Sequence, residues 1–225
     1  MSWMLPPSAS TFAGDIDFLY YLILVITGVA FVIVEVALVW FLFKYRARPG
    51  QRAYHTHGNF KAEVIWTAVP AVVVVLIGVM SARVWADVNR GTDEMPANSL
   101  RMGIKGQQFE WLATYPGADG QLGTADDHTT RNELHVPEDR PIAITLTAED
   151  VIHSFFVPAF RVKQDAVPGM QIPVWFEATT PGTYEIACAE LCGFGHYTMR
   201  AMVTVHTQAD YDSWVAQARA AATIR

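Results

Sequence analysis

Two long apolar runs near the N-terminus constrain this chain more than any other feature. Phe18–Phe43 spans 26 residues with one charged side chain, Glu35, and Val64–Ala82 spans 19 residues with Pro70 inside. A bilayer core takes about 20 apolar residues as a helix, so both runs are long enough to cross it. Trp66 and Trp85 sit near the two ends of the second run, where an indole prefers the membrane interface. Between the runs, Lys44–Lys61 holds five bases and no acid. The positive-inside bias places that loop in the cytoplasm and residues 87–225 on the opposite, outer side. The expectation is a two-helix transmembrane hairpin, over about 18–43 and 64–85, within a membrane anchor of residues 1–86. The first run is too long for a signal-peptide core and no basic region precedes it, so it is expected to remain as an anchor. A carboxylate in mid-membrane marks function or pairing, and for Glu35 the simpler reading is a hydrogen bond to a partner helix. Glu63 sits at the cytoplasmic mouth of the second helix, where the simpler reading is a helix-end acid near the positive end of the dipole.

Charge separates the chain into the same two parts. Residues 1–86 carry four acids and six bases, whereas residues 87–225 carry eighteen acids and ten bases. An acidic chain of net charge −6 offers no basic surface for phosphate, which argues against a nucleic-acid partner. Twelve Phe, eight Tyr and seven Trp are enough to build a core, which argues against disorder.

From about Leu100 the pattern turns to short alternating or apolar runs between turn signals, the texture of an all-β sandwich or barrel. The expected strands are Arg101–Lys105, Glu110–Tyr115, Asn132–Val136, Ile142–Ala148, His153–Val157, Val174–Ala178, Gly182–Ala187 and Arg200–His206, with a short terminal helix over Tyr211–Ala222. Residues 116–131 form a long polar connection rich in Gly and Asp. Its acids suit either calcium or plain turn chemistry.

The chemistry concentrates in Cys188-Ala-Glu-Leu-Cys192-Gly-Phe-Gly-His196-Tyr-Thr-Met199, directly after an expected strand. Two thiols, an imidazole and a thioether fall within twelve residues, and His153 offers a second imidazole from an earlier strand. Soft sulfur donors select copper or zinc. A structural zinc site closes with four Cys or His ligands and has no use for Met199. A mononuclear blue-copper site takes one Cys, two His and a weak Met, leaving one Cys too many. The surplus thiolate makes sense if two copper ions share both sulfurs, each with one imidazole. Met199 and a backbone carbonyl, that of Glu190, then fill the weak outer positions. A Cys188–Cys192 disulfide and a structural zinc are the competing readings.

These residues resemble subunit II of the haem–copper cytochrome c oxidases that carry a binuclear copper centre, CuA. The resemblance covers nearly the whole chain: the hairpin, Glu63-Val-Ile-Trp66-Thr-Ala-Val-Pro70, Gly106-Gln-Gln-Phe109-Glu-Trp111, Glu149-Asp150-Val-Ile-His153-Ser-Phe-Phe-Val-Pro158, Lys163-Gln-Asp165-Ala-Val-Pro-Gly169 and the Cys188–Met199 loop. It implies a cupredoxin-like Greek-key sandwich outside the membrane. It implies copper ligation by His153, Cys188, Cys192, His196, Met199 and the Glu190 carbonyl. It implies that the Glu190 carboxylate reaches a magnesium or manganese ion at the border with subunit I, and that Glu63 opens a proton channel. Glu149, Asp150 and Asp165 would belong to the acidic face that docks cytochrome c, and Phe109 and Trp111 to the electron entry. One departure stands out: the family usually has Gly-His-Gln-Trp-Tyr-Trp where this chain has Phe109 in place of the first Trp.

The implied function is electron transfer from cytochrome c to a haem-bearing subunit I, which reduces oxygen and pumps protons, with subunit III as a further neighbour. The chain alone would not be catalytic. No haem-attachment motif precedes Arg225, so the donor is expected to be a separate protein. The implied location is a bacterial inner membrane. The alternative is the same copper module serving a membrane nitric-oxide reductase. A quinol-oxidase subunit would lack the copper ligands, and a copper chaperone would present sparser, more exposed ones.

Overall fold

The structure, a computed structural model, describes residues 5–89 and 95–223. The expected ranges 1–86 and 87–225 include residues 1–4, 90–94 and 224–225, which lie outside the described residues. By their internal contacts the described residues form two units, those of 15–85 and those of 1–14 with 86–225.

The first unit consists of most of α1 (Ala13–Lys44) and α2 (Phe60–Val88). At 1.5 Å per residue, α1 and α2 are about 48 and 44 Å long, more than the ~30 Å hydrocarbon core. Both helices outrun the apolar segments that predict them. Hydropathy marks where a helix meets lipid, not where its hydrogen bonding stops. At the start of α2 the Asn59 side chain caps the Ala62 amide at 3.2 Å, which begins the helix before its first long apolar run. At the loop end of α1, Lys44 Nζ lies 4.0 Å from the Trp40 ring centre, a cation–π contact that suits an interfacial lysine. Thr27 returns its hydroxyl to the Ile23 carbonyl at 2.8 Å and so exposes no unsatisfied donor. Glu35 is exposed on α1, and no residue of α2 is buried.

The second unit is a two-sheet β-sandwich with a C-terminal helix. Its strands are β1 (Leu100–Gln107), β2 (Glu110–Tyr115), β3 (His128–Arg131), β4 (Glu133–Pro137), β5 (Pro141–Ala148), β6 (His153–Val157), β7 (Val162–Ala166), β8 (Ile172–Glu177), β9 (Gly182–Cys188) and β10 (Arg200–His206), followed by α3 (Gln208–Thr223). One sheet has the order β3-β2-β1-β5-β8 and the other β4-β10-β9-β6-β7. Burial alternates along β1, β2 and β10, as period-two side chains on a half-buried sheet require. Met102, Ile104, Ile144 and Leu146 from one sheet and Val136, Phe155, Ile186 and Val203 from the other form the core.

The eight expected strands are present. Two more, β3 and β7, are not legible from hydropathy. Both lie at a sheet edge and carry polar middles, His-Thr-Thr-Arg and Lys-Gln-Asp, so neither shows an apolar run. The anchor expected over 1–86 also includes residues that join the sandwich instead. Ser10 bridges Ala178, the Ala9 amide donates to the Ala159 carbonyl at 3.0 Å, and Ala9 and Ala13 are fully buried. A short polar segment that gains its partners only in three dimensions leaves no hydropathy signal.

In residues 116–127 the acids serve the loop's own backbone. Asp126 accepts from the Ala118 amide at 2.6 Å, Asp127 from Gly123 at 2.7 Å and Asp119 from Gln121 at 2.9 Å. This is turn chemistry, the simpler of the two readings of that loop.

Helix α3 docks through aromatic stacking on a histidine pair. His135 Nδ1 lies 2.8 Å from His206 Nε2, and Trp214 stacks on His135 at 4.4 Å. Burial, then His206, then His128, lower the His135 pKa from the usual histidine value to about 4. The folded state therefore holds His135 neutral at a pH where the unfolded chain takes up a proton. From this group, stability is full above about pH 6.5, is lost as pH falls toward 4, and changes no further below that. Thermal melting of the detergent-solubilised chain between pH 7 and 4 should show this decline, and His135→Phe, which keeps an aromatic ring against Trp214, should make it shallower, with His206, also lowered by burial, retaining the remainder.

Candidate metal centre

Strands β6, β9 and β10 bring the sulfur and imidazole groups together. His153 opens β6 and Cys188 closes β9. The Cys188 amide donates to the Met199 carbonyl at 3.1 Å, so the segment 189–198 leaves and re-enters the sheet at one point. The Ala189 amide donates to the Ser154 carbonyl at 3.0 Å, which ties the start of that loop beside His153. A short 3-10 turn, His196–Thr198, then directs His196 back toward Cys192.

The donor atoms form a chain with sulfur in the middle and nitrogen at each end. His153 Nδ1 is 4.0 Å from Cys188 Sγ, the two Sγ atoms are 3.8 Å apart, and Cys192 Sγ is 3.6 Å from His196 Nδ1. Met199 Sδ lies 3.7 Å from Cys192 Sγ, and the Glu190 carbonyl oxygen 3.2 Å from Cys188 Sγ. His153, Cys188 and Cys192 are buried, and their donor atoms all lie within 4.8 Å of one another, a group able to hold a metal ion. Both cysteines are free. Two sulfurs each about 2.3 Å from a shared ion at a near-tetrahedral angle would be separated by about this distance. Burial, then the neighbouring Cys188, pushes the Cys192 thiol up to about 11, so Cys192 stays protonated at neutral pH until a metal displaces its proton.

Surrounding residues fix the imidazole. His153 Nε2–H donates to Asp150 Oδ1 at 2.8 Å, which leaves Nδ1 as the nitrogen facing Cys188. Asp150 also accepts from the Gln108 and Val151 amides, at 2.8 and 2.7 Å. Partial desolvation acts to raise the Asp150 pKa, but these hydrogen bonds, His153 first among them, hold it below the usual carboxylate range. Asp150, nominated from sequence as a docking charge, is exposed and also hydrogen-bonded to His153. Its spacing of three before His153 was the available signal, since that turn brings a side chain back onto its neighbour's ring. The other two nominated acids are also paired. Glu149 meets Lys105 at 2.8 Å, and Asp165 accepts from Ser154 at 2.7 Å and from Lys163 at 3.2 Å.

Trp111 is buried edge-on to Phe155, with ring centres 5.5 Å apart, and 6.0 Å from His153. Phe109 is partly exposed, and its ring covers Gly193 and Gly195, where an added Cβ would lie 3.2 and 2.5 Å from ring carbons. The Glu190 side chain is exposed. Glu63 is in the first turn of α2. It lines an open groove of about 380 Å³ with Phe60, Val64, Thr67, Ala68 and Ala71.

Comparison with known proteins gives a consistent result. The family model described as cytochrome c oxidase subunit II, periplasmic domain, matches residues 106–206, and the one described as its transmembrane domain matches residues 1–84. Cytochrome c oxidase subunit 2 of Thermostichus vulcanus is 32% identical over an alignment of 271 residues, which covers 98% of this chain and 80% of the relative. The alternative cytochrome c oxidase subunit 2 of Bradyrhizobium diazoefficiens is also 32% identical, over 96% of this chain and 84% of its own length. The crystal structure of the periplasmic domain of subunit II of cytochrome oxidase from Bradyrhizobium japonicum aligns with a TM-score of 0.49 at 32% identity, covering 55% of this chain and 96% of that one.

A glycine governs how closely the aromatic floor approaches the imidazole. A Cβ on Gly106 would lie 3.0 Å from Trp111 and 3.1 Å from His153. Gly106→Ala should push the imidazole off its position and cost about 1–3 kcal/mol through overpacking. Paired measurements of melting and metal affinity should show both falling.

Proposed function

The chain belongs to the cytochrome c oxidase subunit II family, and from that premise we propose that the centre holds two copper ions and passes electrons from a cytochrome c to a haem-bearing subunit I. The observation that carries the copper reading is the donor chain itself, nitrogen–sulfur–sulfur–nitrogen, with a thioether beside one sulfur and a carbonyl beside the other. Cys188 and Cys192 would bridge, His153 and His196 would each bind one ion, and Met199 and the Glu190 carbonyl would fill the weak positions. Bound copper would supply a one-electron relay with little geometric change.

The protein's part is to hold these donors still and keep water out. His153, Cys188, Cys192 and Met199 are buried, and the β9–β10 backbone pairing closes the loop that carries five of the six donors. Asp150 holds the His153 ring with Nδ1 toward the sulfurs. Phe109, partly exposed against the loop glycines, would be the entry for the electron, and Trp111 the packed floor beneath His153. Phenylalanine in place of the family's tryptophan keeps an aromatic face but lacks the indole N–H.

The acidic balance of residues 87–225 would draw a basic cytochrome c. Glu149 and Asp165 each have a lysine beside them, so attraction would rest on the sum of the outer charges more than on these acids singly. The exposed Glu190 carboxylate would meet a magnesium or manganese ion at the subunit I border. Glu63 would admit protons from the cytoplasmic side, the groove along α2 leading away from it. The setting would be a bacterial inner membrane, with subunit III as a further neighbour.

Two substitutions test the copper assignment in the assembled oxidase. Cys192→Ser should abolish the binuclear centre and electron entry, and two retained coppers with unaltered optical spectra would contradict the bridging role. Met199→Leu should keep the copper and shift its potential, and an unaltered potential would remove Met199 from the set.

A further inference from the structure

The tip of the β1–β2 hairpin reaches both halves of the donor chain through one residue. The Gln108 side-chain amide donates from Nε2 to the Cys192 carbonyl at 2.6 Å. Its backbone amide donates to Asp150 Oδ2 at 2.8 Å, and the other oxygen of that carboxylate accepts from His153 Nε2. Gln108 therefore touches the peptide that carries one thiol and the carboxylate that orients the imidazole beside the other. The next residue, Phe109, lies across Gly193 and Gly195 of the same loop.

The loop sequence is adapted to this contact. Gly193 has φ +132°, a conformation that side chains rarely adopt, and a Cβ there would sit 2.7 Å from Gln108 Nε2. Glycine leaves the space through which the amide reaches the carbonyl. A hydrogen bond to the peptide of Cys192 restricts rotation about the bonds that aim its Sγ. Asparagine would retain the amide but fall one methylene short, and methionine would fill the space with nothing to donate.

We propose that Gln108 is a positioning residue for electron transfer, locking the Cys192 thiolate and the His153 imidazole to the surface where the donor meets Phe109. This rests on the reading of the donor chain as a copper centre. Outer partners that orient a ligand change metal affinity or activity by about tenfold or more when removed. A role confined to packing would leave the centre's electronics untouched.

The test is made on the assembled oxidase carrying Gln108→Met, with Gln108→Asn read in its place if the first does not assemble. Two coppers per chain should remain. The reduction equilibrium should move by about tenfold, ~59 mV for a one-electron couple, and the copper hyperfine splitting in the paramagnetic resonance spectrum should change. Copper lost in a variant that keeps its far-ultraviolet circular dichroism would also support the proposal. An unchanged potential with unchanged splitting would overturn it, leaving Gln108 as surface packing. An unsubstituted oxidase without a two-copper spectrum would instead overturn the copper reading from which the proposal starts, so the two failures are distinguishable.

Discussion

The hydrogen bond from the Cys188 amide to the Met199 carbonyl, at 3.1 Å, closes the loop on which the site depends. It continues the β9–β10 pairing, whose register sets Arg200 opposite Ala187, and so brings the two ends of the sulfur-rich loop together at one end of two adjacent interior strands. Between those ends Cys192 and His196 have only short turns to follow, and their donor atoms fall 3.6 Å apart. The neighbouring strand β6 then supplies His153 from the other side. Binding energy that would otherwise be spent on ordering a mobile loop is saved by a backbone already paired in the sheet. A relay of single electrons needs that rigidity, because each change of geometry on reduction would slow the transfer.

Burial and charge act together at this centre. His153 is fully buried, and an unpaired imidazole N–H there would carry a desolvation cost. Asp150 removes that cost and selects the nitrogen that faces the sulfurs. The same carboxylate accepts from the Gln108 amide, so one acid unites a β-hairpin, a turn and His153. Its neighbours Glu149 and Asp165 are matched with lysines. The charges around the centre are thus largely paired, while the outer part of the chain as a whole keeps its acidic balance. Pairing near the centre would limit the local field on a bound metal, and the overall balance would act at longer range.

Much of this was legible in the amino-acid sequence, because the main features are ones that spacing encodes. The two apolar runs could be read by length, and both are helical. Most strands could be read by alternation, since one of their faces is buried. The donor residues could be nominated because two thiols, an imidazole and a thioether within twelve residues have few other uses. What was not legible depends on partners distant in the chain. Strands β3 and β7 are polar and become strands only through one neighbour each. Residues 9–13 join the sandwich through Ala159, Glu177 and Ala178, more than 140 positions away in the chain. Asp150 looks like a surface acid until His153 is placed behind it. Gln108 carries no chemistry that distinguishes it from other surface amides. Its role follows from Gly193, whose missing side chain leaves room for the contact.

The central claim is that two thiolates bridge two copper ions at this centre. Copper stoichiometry and the electron paramagnetic resonance spectrum, recorded together on the purified oxidase containing this chain, test it most directly. Two coppers per chain beyond those of subunit I, with one unpaired electron shared over both nuclei in a seven-line pattern, is the predicted result. One copper with a four-line pattern, or zinc with no signal from this centre, would contradict it.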